Sequence, residues 1–199
     1  MIRIRFVGDG PLDEASIPPL VRSLLELHLD RAVHFEPCFR PWARLHDVRG
    51  YDKKVSFAIR QAEDAGEVGL VATVDRDRSR RGSRLAALRE GRASARLRGH
   101  SLPGALGEAN PHAEAWLIAD REAVRQARGL YADEPIGGGL FPKGDLQALH
   151  GASGRADDSA ALVWADVACR ARPAIIESAR GNGFGEFAAD VRAELASVV

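Results

Sequence analysis

The chain has little in it that could staple a fold or attract a partner by bulk charge. It holds two cysteines in 199 residues, Cys38 and Cys169, far apart and matching no zinc or Cys-x-x-Cys spacing. That excludes a disulfide framework and a structural zinc site, and the expected state is two reduced, partly buried thiols. An excess of one charge is also missing, because Lys and Arg total 28 and Asp and Glu total 28. Any nucleic-acid footprint must therefore come from local clustering. No apolar run approaches the roughly 20 residues of a bilayer span. The first residues, Ile2 to Val7, alternate like a strand and lack the basic and apolar regions of a signal peptide. The expectation is a cytoplasmic protein with no membrane contact.

What is present is ordinary globular composition, 45% hydrophobic and 28% charged, in a length that suits one well-buried core. Only three basic residues are lysines, and the wealth of Arg and Ala reads as coding bias rather than chemistry. The first half alternates strand and helix. After Ile2–Val7 comes the turn Gly8-Asp9-Gly10-Pro11, then a helix with Ile17, Leu20, Val21, Leu24 and Leu25 at helical spacing. Its Pro18 and Pro19 are expected near the helix start, where proline is tolerated. A second strand is expected over about 32–39, and a helix over 52–65 with Val55, Ala58, Ile59 and Ala62 on one face.

Val68 to Val74 is a continuous apolar run ending at Asp75, the pattern of a strand covered on both faces in a parallel sheet. A helix is expected from about Ser79, a short strand around Ala95 to Leu97, and one long helix after Pro111. Beyond the Gly- and Pro-rich loop 132–144 the chain reads as helical: 146–149, 160–170, 173–179 and 184–195. The pattern predicts an α/β protein with a Rossmann-like, mostly parallel sheet over 1–130. A helical C-terminal extension, 131–199, should pack on the same domain. Ligands of such sheets bind beyond the carboxyl ends of the strands.

Acidic residues stand at those ends. Asp9 follows the first strand, with Asp13 four residues on at a helix entrance, and Asp75 and Asp77 follow the buried run. Alternation along a strand points the two carboxylates of Asp-x-Asp the same way, and Mg²⁺ favours a few carboxylates with water and phosphate. Carboxylates about 4 Å apart repel by roughly 4 kcal/mol at an effective dielectric near 20, so a cluster calls for a cation or an arginine. Turn and N-cap roles for Asp9 and Asp13, and pairing of Asp75 with a nearby Arg, are the structural alternatives.

Asp9-Gly10-Pro11-Leu12-Asp13 after one strand and Asp75-Arg76-Asp77 after another resemble the TOPRIM (topoisomerase–primase) fold, which carries Glu-Gly-x-x-Asp/Glu and Asp-x-Asp there. Asp9 stands where that pattern has Glu, one methylene shorter. Glu114-Ala115-Trp116-Leu117-Ile118-Ala119-Asp120 resembles the "EAWLLAD" signature of a bacterial TOPRIM-like family of unassigned function often found near phage-defence genes. Phe141-Pro142-Lys143 and the helical tail are similar to that family too. The resemblance implies Mg²⁺ or Mn²⁺ on Asp9, Asp13, Asp75, Asp77 and Glu114. It also implies phosphodiester cleavage by Asp9, Asp75, Asp77, Glu114 and Lys143 in anti-phage defence, with a partner protein from the same gene neighbourhood.

Between Asp75 and Glu114 runs a series of arginines: 76, 78, 80, 81, 84, 89, 92, 96 and 98. Arginine's planar fork suits phosphate, which makes this region the expected contact for DNA or RNA; a solvated helix face is the alternative. Arg49, Lys53 and Lys54 form a second candidate phosphate contact. His112 stands as a ligand, a base or a structural residue. Lys143, after Gly137-Gly138-Gly139, is placed to stabilise developing phosphate charge or to be plain surface. Two readings stay open: a Mg/Mn-dependent nuclease, and a non-catalytic module binding nucleic acid or a partner on the same scaffold. A haloacid-dehalogenase-type phosphatase fits less well, because its Asp-x-Asp opens the first strand and is followed by Thr or Val, not Arg78.

Overall fold

Strand alternation assigns each side chain to one face of a sheet, and here both faces are covered. The computed structural model describes residues 1–25, 33–37, 50–76, 83–129 and 160–199. Its elements are β1 (Ile2–Val7), α1 (Pro11–Leu24), β2 (Val33–Pro37), α2 (Tyr51–Asp64), β3 (Gly69–Asp75), α3 (Arg84–Leu97), β4 (Gly104–Ala109), α4 (Glu114–Ala119), α5 (Arg121–Arg128), α6 (Ala160–Arg170), α7 (Pro173–Ser178) and α8 (Phe184–Leu195). The four strands form one all-parallel sheet in the order β2-β1-β3-β4. This α/β layout is compatible with a Rossmann-like fold, and its strand order changes direction between β1 and β3.

Alternate residues of each strand feed two cores. Ile4, Phe6, Val71, Ala105 and Ala109 meet α1, α4, α5, α6 and α8 on one side. Val7, Leu70, Ala72, Val74 and Leu106 meet α2 and α3 on the other. The continuous apolar run of β3 is thus explained, since both its faces are inside. Trp116 stacks on Phe187 at 5.1 Å and meets Phe184 edge-on at 5.2 Å, which fastens α8 to α4. Each such pair contributes about 0.5–1.5 kcal/mol beyond burial.

Several expectations are corrected. Ala95 to Leu97 are the last turn of α3, not a strand, because Leu85, Leu88 and Ala95 line one helical face against the second core. The fourth strand is Gly104–Ala109, whose short side chains gave no β signal. A Cβ on Gly107 would come within 2.7 Å of the Phe187 ring, so the small residue admits α8 onto the sheet. The helix after Pro111 is two helices, broken at Asp120. Pro18 and Pro19 sit in the interior of α1, not at its start. Cys169 is free and exposed, whereas Cys38 lies outside the described residues. Among the described residues no helix is long and apolar enough to cross a membrane.

Candidate functional site

The reversal of strand order puts the carboxyl ends of β1 and β3 side by side, in the register Val7↔Ala72. Asp9, just beyond β1, accepts a hydrogen bond at Oδ2 from the backbone N–H of Asp75 at 2.9 Å. Asp13, in the first turn of α1, folds back on the same loop. Its Oδ2 accepts from the N–H groups of Asp9 (2.8 Å) and Gly10 (3.1 Å). The cap role weighed for Asp13 is therefore filled, in the same place as the cluster. Asp75 closes β3: its Oδ1 accepts from Ala113 N–H at 2.9 Å, and its Oδ2 lies 3.4 Å from His112 Nδ1. Glu114, at the start of α4, is 4% exposed, and no hydrogen bond or ion pair to its carboxylate is found among the described residues.

Four carboxylates thus meet at one sheet edge, and their protons respond to it. Burial raises Asp13 to about 7, with the charges of Asp75 and Asp9 adding to it and the two amides opposing. Burial, then Glu114, then Asp9 raise Asp75 to about 6, against the Ala113 amide and His112. Both effects disfavour the charged form. Without a cation the cluster therefore holds protons near neutral pH. Among the described residues no three His, Cys, Asp or Glu side chains stand as a formed metal-ligand set. The oxygens of Asp9 and Asp13 that bind amides are turned toward the chain. Asp77 and Lys143 lie outside the described residues.

The arginine series divides. Arg78, Arg80 and Arg81 lie outside the described residues, as does Arg49. Arg89, Arg92 and Arg96 face the acidic stripe of α8, pairing with Glu186 (3.3 Å), Asp190 (2.7 Å) and Glu194 (2.5 Å). These three form a seam between α3 and α8. Arg98 turns to Ser56 and Ser94. Arg84 stays beside the cluster, donating to the Asp75 carbonyl oxygen, and shares the Tyr51 ring with Lys54, each about 5.5 Å from its centre. Lys53 lines a shallow cavity of about 260 Å³ with Phe57, Arg60 and Arg98.

Two residues at this edge carried no sequence signal. Glu108, on the strand that was not foreseen, accepts from Ser83 Oγ (2.8 Å) and Arg84 N–H (2.7 Å) and so caps α3. Asn182 receives Trp116 Nε1–H at its carbonyl, 2.7 Å, which ties the loop before α8 to α4. The turn residues Pro103 and Asn110-Pro111 around 104–109 were the available hint for Glu108. Comparison with family models, curated proteins and solved structures gave no match.

Proposed function

We propose that the chain is a divalent-metal-dependent phosphodiesterase on a TOPRIM-like scaffold, acting on nucleic acid. The observation that carries this reading is the meeting of Asp9, Asp13, Asp75 and Glu114 where the strand order reverses, with Glu114 buried and its carboxylate unanswered among the described residues. An all-oxygen, anionic donor set fits Mg²⁺ or Mn²⁺. Asp9, Asp13, Asp75 and Glu114 would hold the ion, with Asp77 next in the chain. A bound ion supplies positive charge that acidifies water and stabilises phosphoryl oxygens. The amide contacts to Asp9, Asp13 and Asp75 orient those carboxylates, leaving Glu114 as the member without an anchor among the described residues. His112, beside Asp75 Oδ2, is placed to hold a proton there, and Arg84 keeps a cation at the same strand end.

Another observation favours the module reading: three of the four carboxylates already bind backbone amides, and no formed ligand set exists among the described residues. One experiment separates the two. Thermal melts with and without Mn²⁺ are run beside cleavage of labelled DNA and RNA, for the wild type and Asp75→Asn. The enzyme reading expects Mn²⁺ to raise the melting temperature by mass action, and Asp75→Asn to remove cleavage and most of that rise while still folding. No rise and no cleavage in the wild type would establish the binding module instead.

A further inference from the structure

A cleft of about 740 Å³ is bounded by the start of α3, the end of β4 and the loop before α8. Its charges are unevenly answered. Among the described residues, three carboxylates lie in its wall and all have partners: Glu108 takes Ser83 and Arg84 N–H, Glu177 takes Arg192, and Glu186 takes Arg89. Arg76 and Arg180, in the same wall, are exposed, and among the described residues no acceptor is found for either guanidinium. Arg76 directly follows Asp75 in the chain, although none of the four cluster carboxylates is among the described residues that line the cleft.

The loop that carries Arg180 is fastened to the strand ends. Asn110 N–H donates to the Asn182 carbonyl at 2.9 Å, and Asn110 Nδ2 donates to the Gly181 carbonyl at 2.8 Å. Gly183 has φ +84°, and a Cβ there would stand 2.0 Å from the Glu108 carbonyl oxygen, so only glycine lets the loop lie this close. Trp116, two residues past Glu114, adds its indole hydrogen bond to Asn182. Arg180 is therefore set on a support shared with the acidic cluster rather than on an independent loop.

From the two unanswered guanidinium groups, the shared support and the place of Arg76 directly after Asp75 in the chain, we infer that this cleft receives the phosphodiester backbone of single-stranded nucleic acid, with Arg76 and Arg180 each contacting a phosphate. The inference rests on the phosphodiesterase reading and names the path of its substrate. A guanidinium can bind a phosphate bidentately, and a concavity of this size encloses small ligands. It admits a few nucleotides of one strand, not a duplex.

The test is fluorescence anisotropy of a labelled single-stranded oligonucleotide in EDTA, across a salt series. For single strands, log affinity falls with log salt by about 0.7 per phosphate contact. The variant Arg76→Ala/Arg180→Ala should lower the slope by about 1.4 and bind roughly 25-fold more weakly at 0.1 M salt, if binding converges at 1 M. Arg170→Ala, paired with Asp166 on α6, should leave the slope unchanged. An unchanged slope in the double variant, no binding by the wild type at low salt, or tighter binding of duplex would overturn the cleft assignment. The Mn²⁺ melting shift is read on the same proteins. A lost slope with the shift retained supports the cleft, and so does a lost slope in a protein that never responds to Mn²⁺, where only the enzyme reading falls.

Discussion

Asp75 and Asp120 each stand at the end of a regular element, the first partly and the second fully withdrawn from water, and their carboxyl groups shift in opposite directions. Burial pushes both carboxyl groups upward. At Asp120 the guanidinium of Arg172 (2.7 and 2.8 Å) and the N–H groups of Arg172 and Ala123 outweigh burial, and the carboxyl is held below its usual range. At Asp75 burial is joined by Glu114 and Asp9, and the opposing Ala113 amide and His112 leave the carboxyl at about 6. One aspartate is answered from within the chain; the other is held among its own kind. Perturbed carboxyls of the second sort cluster at functional sites. The difference teaches that depth alone does not mark a site. What marks it is like charge gathered in one place, which the described residues around Asp75 do not outweigh.

The largest expected effect is at the answered aspartate. Asp120→Ala removes the α5 cap and strands the Arg172 and Ala123 amides, so urea denaturation should show a loss of about 2–4 kcal/mol. Its Mn²⁺ response, if the wild type has one, should be unaltered. A loss below about 1 kcal/mol would mean that the two sites differ less than their hydrogen bonds suggest. Next comes Arg92, whose side chain is 13% exposed and whose guanidinium is bound to Asp190 and to the Gly104 carbonyl. Arg92→Ala should cost about 1–3 kcal/mol by the same measurement.

The acidic cluster should behave with the opposite sign. Asp13 and Asp75 hold protons in the folded state up to about 7 and 6, well above their value of 3.8 in an unfolded chain. Between pH 4 and 7 the folded state therefore binds more protons than the unfolded one, and stability falls as pH rises through that window. Asp75→Asn, which can still accept from Ala113, should gain on the order of 1 kcal/mol at pH 8 without metal. The gain should vanish near pH 4. Chemical denaturation at the two pH values checks this, and a loss at pH 8 would show that the Asp75 charge is already balanced.

The smallest effect concerns the outer end of the α3–α8 seam. Arg89 and Glu186 are 48% and 65% exposed, so Arg89→Ala should change stability by less than about 0.5 kcal/mol. A loss as large as that of Arg92→Ala would show that solvent does not screen this pair.

Much of this arrangement was legible in the residues themselves. Alternation in Ile2–Val7 and the apolar run before Asp75 specify strands, because burial on one or both faces dictates those patterns. An acidic residue just past a parallel strand stands at the ligand edge whatever the details of the fold. The periodicities of 160–170 and 184–195 matched α6 and α8 residue for residue. Other features depend on neighbours distant in sequence. Gly104–Ala109 has weak strand propensity and becomes a strand only because β3 pairs with it and Phe187 fills the space over Gly107. The arginines of α3 looked like one basic run, since sequence does not display the acidic stripe of α8 that takes three of them. The pairing of β1 with β3 is likewise tertiary. Local sequence placed Asp9 and Asp75 at strand ends, but only the order of the sheet set Asp9 on the Asp75 amide, because interactions that span sixty-six residues are decided by packing and not by local preference.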